Sequence, residues 1–266
     1  MQFEHRSRLF DIEGVSQTDH IYRRIAASNN FYELDLLEYI YDLKGYILSS
    51  GCKNVIVDVG ANIGNHSIFF SAFLADHLVA VEPNPDVLPV LRKNLSRNID
   101  SYTLCEHAVG EREGTGSIKV PDNMGENIGA AQLDHQAIDG DIEIVTLDSV
   151  LTSLKDCKSD SLSVALIKID VEGMEPQVLG GALETIGKHR PHIFVEAATK
   201  EGLNQILSYL EPLGYQRLPG RWAGTPVYHF AFKPKLALVV QAVLLQIRKR
   251  LRKLKKSLSK RLHWAR

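Results

Sequence analysis

The sequence predicts a doubly wound α/β fold with a mostly parallel, seven-stranded sheet and one antiparallel strand. Three observations predict it. From Asn54 onward, short β-branched runs alternate with segments of helical spacing, and runs separated by helices of roughly 10–15 residues mean βαβ units. Four runs end in an acid, at Asp58, Glu82, Asp170 and Glu196. The last two strands, near 214–218 and 227–232, are joined only by the Pro219–Pro226 loop. A link that short joins antiparallel neighbours, so one strand near the sheet edge is reversed.

The elements follow in order. Residues 1–30 are polar and weakly patterned and read as an arm or lead-in. Phe31, Leu34, Leu37, Tyr41, Ile47 and Leu48 predict one helix, giving a helical lead-in over 1–50. The main domain, 51–233, opens with Val55-Ile56-Val57, the turn Gly60–Gly64 and a helix over 67–74. Strands at 78–81, 102–105, 164–169 and 192–195 follow, with helices after 82, 175 and 200. Residues 110–147 interrupt the rhythm with a hairpin-like insertion, strands at 116–120 and 142–147, and a polar loop near 123–127. Residues 234–266 form a basic amphipathic helix.

Composition narrows the class. At 266 residues, 44% hydrophobic and 24% charged, bulk disorder is excluded. Cys52, Cys105 and Cys157 are few, odd in number and far apart, which points away from a disulfide framework or cysteine zinc site and toward a reducing cytoplasm. The charged start, Met1–Arg8, has no apolar run after it, so no secretory signal is expected. No window reaches the roughly 18–20 apolar residues of a spanning helix. The net charge of −1 conceals an asymmetry: residues 233–266 hold 12 of the 31 Lys and Arg and none of the 32 acids.

In open α/β sheets ligands bind beyond the carboxyl ends of the strands, where the strand order reverses. The first turn there is Val57-Asp58-Val59-Gly60-Ala61-Asn62-Ile63-Gly64. Its glycines permit a tight turn, but Gly-x-x-x-Gly is not the dinucleotide spacing, and Asp58 would repel a diphosphate. A cationic ligand such as S-adenosylmethionine suits Asp58. Glu82 closes the second strand, where a carboxylate accepts ribose hydroxyls. His107, after the third strand, is a candidate beside an adenine ring. Asp170 and Glu172 end the fourth strand near the expected methyl position, with Glu196 and His66 facing the same crevice.

These segments resemble the FkbM-type methyltransferases. The resemblance rests on Val55–Ser67, Val79–Asn84, Ala108–Gly110, Val145–Asp148, Ile167–Glu175 and Pro191–Glu196, and covers about 52–200 but neither the first 30 residues nor the tail. It implies a Rossmann-like class I methyltransferase fold and methyl transfer from S-adenosylmethionine to a hydroxyl of a sugar, glycan or secondary metabolite. By resemblance, Asp58, Gly60, Asn62 and Gly64 form the cofactor turn, Glu82 is the ribose acid, and Asp170 and Glu172 belong to an Asp-x-Glu-Gly element. Asp170 or Glu172 is the first choice of base, Glu196 and His66 the second. A divalent cation on Asp170 and Glu172 is the less favoured alternative, because no third ligand is evident.

In the tail, Val240, Leu244, Ile247, Leu251, Leu254 and Leu258 recur at heptad spacing, with Lys and Arg dense from Arg248 onward. A symmetric coiled coil would bring like charges together. An anionic membrane surface fits better, docking on an acidic partner, this protein's own body included, comes second, and a plain solvated helix third. The expected location is cytoplasmic, with peripheral attachment at the inner membrane face. Nucleic acid is disfavoured as a partner by the acidic body. Two alternative functions remain open: a nucleic acid methyltransferase, against which the fourth strand lacks the Asn/Asp-Pro-Pro-aromatic turn, and a non-catalytic membrane-tethered scaffold that keeps the cofactor fold.

Overall fold

The computed structural model describes residues 1–119, 132–134, 140–154 and 162–264. The chain opens with strands β1 (Gln2–His5) and β2 (Arg8–Asp11) and helices α1 (His20–Ser28), α2 (Leu34–Asp42) and α3 (Lys44–Ile47). Then come β3 (Lys53–Val59), α4 (Asn65–Phe73), β4 (His77–Val81), α5 (Leu88–Asn98) and β5 (Tyr102–Cys105). The insertion holds β6 (Ala108–Val109), β7 (Gly114–Lys119), β8 (Gln132–Asp134), β9 (Ile142–Val145) and α6 (Leu147–Ser153). The second half runs β10 (Leu162–Ile169), α7 (Glu175–Gly180), α8 (Leu183–His189), β11 (His192–Glu196), α9 (Lys200–Leu210), β12 (Tyr215–Arg217), β13 (Val227–Phe232) and α10 (Leu236–Trp264).

The main sheet has seven strands in the order β12-β13-β11-β10-β3-β4-β5. β13 is antiparallel to both its neighbours, and every other pairing is parallel. The short Pro219–Pro226 link thus does join antiparallel neighbours. Side chains alternate between two cores because strand side chains alternate with period two. Ile56, Leu78, Ala80, Leu166 and Phe194 face the core shared with α2, α4, α5 and α10. Val57, Val79, Ile167, Ile193 and Val195 face the core shared with α6, α7, α8 and α9. Strand order reverses between β3 and β10, which puts the crevice beyond their carboxyl ends.

Four expectations need correction. The lead-in over 1–50 is not wholly helical: β1 and β2 form an antiparallel hairpin. Its turn places Arg6 and Ser7 at φ 50° and 61°, as a two-residue hairpin turn of the primed type requires. Arg-Ser lacks the Asn-Gly signal of such turns, so the hairpin is hard to read. Packing fixes it instead, with Phe3 against Phe31 at 4.9 Å between ring centroids and Phe31 against Phe69 at 5.3 Å. The single helix expected over 31–49 is two, interrupted at Leu43. The insertion contributes a four-stranded sheet, β6-β9-β7-β8, rather than a hairpin. Leu147 begins α6, capped by the Thr146 hydroxyl accepting from the Ser149 N–H, instead of ending a strand. The loop near 123–127 lies outside the described residues.

The basic tail is helical, as its spacing predicts, but it docks through a different face from the heptad stripe. Leu238, Ala242 and Leu245 are buried with Leu218 and Trp222 in the first core. Contact with the Gly220 turn is close: a Cβ there would lie 1.6 Å from Gln246 Nε2. The Lys249 ammonium sits 4.2 Å from the Trp222 ring centroid. Among the described residues no helix is long and apolar enough to cross a membrane.

Candidate active site

A cavity of about 370 Å³ opens beyond the carboxyl ends of β3, β4, β10 and β11. The first turn is held in place from three sides. Gly60 and Ala61 donate their N–H groups to the Val81 carbonyl at 3.0 Å. Buried Asn94 donates to the Ile63 carbonyl at 2.8 Å and to the Glu13 carbonyl at 2.8 Å, tying α5 and the N-terminal segment to the turn. Gly60, at φ 78°, lies so close to β10 that a Cβ would be 1.8 Å from the Asp170 carbonyl oxygen.

Glu82 stands at the end of β4 with both carboxylate oxygens anchored. Oε2 accepts from the Asn62 N–H at 2.9 Å and Oε1 from the Asn84 N–H at 3.0 Å. Each oxygen keeps a lone pair, and the residue lines the cavity beside the apolar Val81, Val87, Ala108, Val109 and Ile118. A fixed dual acceptor next to an apolar slot fits a ribose and its purine. The residues present therefore fit the nucleoside part of S-adenosylmethionine.

Deeper in the crevice an ionic cluster surrounds Lys168. Its ammonium lies 3.4 Å from Asp58 Oδ1 and 3.3 Å from Asp170 Oδ2, and donates to the Gly60 carbonyl at 3.3 Å. Burial alone would lower the lysine pKa, but Asp170, Asp58 and Glu33 hold it well above the usual range. Burial likewise disfavours the Asp170 anion, yet Lys168 and a hydrogen bond from Glu196 keep its carboxyl below the usual range. Glu196 moves the other way: burial, then the Asp170 charge, push it up to about 9. At neutral pH the pair therefore shares one proton, carried by Glu196.

Glu172 adopts φ 53° at the top of the following turn, whose Val171 and Gly173 N–H groups donate to Glu175 Oε1 at 3.2 and 3.1 Å. Partial burial, then Asp170 and Glu175, raise Glu172 to about 7. His66 is buried, and desolvation together with Lys168 pushes it down to about 4. Its Nε2 is 3.5 Å from Glu33 Oε2, a contact between a neutral ring and a carboxyl group.

The structure brings most of the sequence candidates together. Gly60, Asn62, His66, Glu82, Asp170, Glu172 and Glu196 all line the cavity. Three do not. Asp58 is fully buried, accepts from the Ser67 hydroxyl at 2.6 Å and is neutralised by Lys168, so its charge is not presented to a ligand. Gly64 shapes the turn from behind, at φ 88° against Leu91. His107 is turned outward, 3.4 Å from Glu143, and Ala108 and Val109 take the cavity wall instead. Lys168, Tyr32, Glu33, Asn84 and Thr225 line the cavity without having been singled out in the sequence. The signal for Lys168 was available: a lone charge inside the apolar run 164–169. The N-terminal segment contributes His20 and Ile21, the insertion Ile118 and the late loop Thr225 to the same cavity. Among the described residues no group of three or more His, Cys, Asp or Glu is arranged to hold a metal ion.

The sheet order, with an anchored acid at the end of the second main-sheet strand, is that of a Rossmann-like class I methyltransferase fold. The chain belongs to the FkbM methyltransferase family: residues 58–217 match the family described as Methyltransferase FkbM domain. A comparison with curated proteins gave no match. Among solved structures, the chain is similar to methyltransferase FkbM from Methylobacillus flagellatus KT, at 22% identity and TM-score 0.45, over 71% of this chain and 47% of that one. It thus spans about half of that protein's length. It is also similar to an O-methyltransferase from Bacillus cereus in complex with SAH, at 13% identity and TM-score 0.44, over 79% and 88% of the two chains. A precorrin-6y C5,15-methyltransferase from Geobacter metallireducens aligns at 18% identity and TM-score 0.40, over 72% and 85%.

Proposed function

We propose that this methyltransferase acts on a hydroxyl of a sugar, glycan or small hydroxylated metabolite, with Glu172 as the general base. The observation that carries the proposal is the trio Asp170, Glu172 and Glu196 at the mouth of the β10–β11 crevice, each in a different protonation regime. When bound, the cofactor supplies an electrophilic methyl group on a sulfonium. Glu82 holds the ribose, with the Asn62 and Asn84 N–H groups fixing its orientation. Protonated Glu196 donates to Asp170, which stays ionised beside Lys168 and leaves the acceptor hydroxyl free to donate to Glu172. Glu172, near 7, takes the proton that the hydroxyl loses. A base whose pKa lies near the working pH contributes typically 10²–10⁴-fold. Asp170 is held too acidic, and His66 at about 4 too weakly basic, to compete with it.

The acidic lining also supports a neutral acceptor. Glu33, Glu82, Asp170, Glu172 and Glu196 share one cavity, and Lys168 is committed to its carboxylates. Phosphate groups would be repelled there, which disfavours nucleic acid.

Calorimetric titration with S-adenosylhomocysteine tests the cofactor site. Micromolar affinity is expected, lost in Glu82→Ala. A screen of glycans and hydroxylated metabolites with labelled donor then tests the acceptor class. Label transferred to an amine or a nucleobase, with none to hydroxyls, would overturn the assignment.

A further inference from the structure

The helix that closes the chain has two apolar faces, of which the body covers one. Leu238, Ala242 and Leu245 are buried against it. About half a turn round the helix, Val240, Val243, Leu244, Ile247, Leu251 and Leu254 form a second stripe, each at least 37% exposed. Leu251 and Leu254, at 53% and 58%, lie beyond Leu245, the last buried apolar residue among those described. Helical spacing sets Arg248 and Lys255 along one edge of this outer stripe and Arg250 along the other. Isolated exposed leucines need no explanation, but a continuous stripe rimmed by charge does.

Charge decides what covers it. Residues 233–266 carry 12 Lys and Arg and no acid, while the other 232 residues carry all 32 acids. A second copy of the helix would have to seat like charges along the same seam, with no carboxylates to answer them. An anionic surface answers the Arg248, Arg250 and Lys255 that rim the stripe. The geometry points to an anionic phospholipid bilayer: we infer that the outer face of α10 lies in the headgroup region of an anionic membrane, with its leucines in the acyl boundary and its arginines and lysines on lipid phosphates. The helix then lies in the membrane plane and the folded body stays on the aqueous side.

The attachment also orients the active site. The Gly220–Thr225 segment touches α10 through Gly220 and Trp222, while Thr225 lines the cavity and the Gly224 N–H donates to Glu33 at 3.4 Å. The cavity is therefore joined to the membrane-facing helix by one short loop.

Co-sedimentation of the full chain with phosphatidylcholine vesicles, with and without phosphatidylglycerol, tests the inference. Binding is expected only with phosphatidylglycerol and should weaken as salt rises. Replacing Arg248, Arg250 and Lys255 together by Gln should weaken it on the order of 100-fold, about fivefold for each charge. Ile247→Asp with Leu251→Asp should abolish it, with an unchanged thermal midpoint showing that the body is still folded. Equal binding to neutral vesicles, no binding to anionic ones, or binding that survives the aspartates would overturn it. So would sedimentation velocity showing a dimer that the aspartates dissociate while vesicle binding is absent, because the stripe would then be covered by a second copy.

Discussion

Lys168 and Asp58 are paired in register across the parallel strands β10 and β3, and the lysine ammonium lies 3.4 Å from the Asp58 carboxylate. This ion pair sits inside the sheet at the point where strand order reverses, and its second arm reaches Asp170. One buried cation thus neutralises the acid below the first turn and sets the charge of the acid at the end of β10. Removing it strands two carboxylates in a low-dielectric site. Lys168→Met should cost about 3–5 kcal/mol in chemical denaturation. Asp58→Asn should cost less, since Lys168 keeps Asp170. Equal, small losses from both variants would show that the pair carries no such role.

The two glycines of the first turn should respond differently to the same change. Both have positive φ, so Ala is strained at either position. At Gly60 the added carbon meets a backbone carbonyl at 1.8 Å, whereas at Gly64 it meets the flexible end of Leu91 at 3.0 Å. Gly60→Ala should therefore cost well over about 1 kcal/mol and reduce S-adenosylhomocysteine affinity, because β3 and β10 must separate. Gly64→Ala should be milder in both measurements. A reversed order in paired melting and titration experiments would place the tight contact elsewhere.

Much of this was legible in the sequence, for identifiable reasons. The β-branched runs and the acids that close them located the strand ends, because an acid beyond an apolar strand has few places to go except the crevice. Glu82, Asp170, Glu172 and Glu196 were found that way, and all line the cavity. Asp58 was misjudged because its neutralising partner is 110 positions away in the chain, and only strand register brings Lys168 beside it. His107 was misplaced because one residue of register decides which face a strand-end side chain takes. The N-terminal hairpin escaped because its turn lacks the usual residues and its stability lies in a ring cluster assembled from Phe3, Phe10, Phe31 and Phe69. The docked face of the tail was hidden behind a more regular stripe that the fold leaves exposed.

Glu196 makes the fold sensitive to alkali. Its folded pKa is about 9, raised from the usual 4.5 by burial and the Asp170 charge. A raised pKa contributes stability that is complete below the unfolded value and lost as pH climbs toward the folded one. Asp170, shifted downward, loses its contribution only on acidification and does not mask this window. Glu196→Gln stays neutral and can still donate to Asp170. The variant should therefore be more stable than the parent at about pH 8, by on the order of 1–3 kcal/mol, and similar at about pH 5. Urea denaturation at the two values checks this, and parallel pH dependence in both proteins would contradict it.

Glu172 sets the working pH of the proposed reaction. As a base it must be ionised before the acceptor hydroxyl can give up its proton, so kcat/KM should rise as pH passes about 7 and then level off. The shift arises from partial burial and the nearby carboxylates of Asp170 and Glu175. Removing Asp170's charge should therefore lower the inflection, whereas removing the carboxylate at position 172 should erase it. Glu172→Gln is expected to lose roughly 10²–10⁴-fold in kcat with little change in S-adenosylhomocysteine affinity, because Glu82 and the first turn are untouched. Asp170→Asn should combine a lower inflection with a lower rate, since it also releases Lys168. If the inflection survives in Glu172→Gln, the proton goes to another group, and Asp170 becomes the first to test.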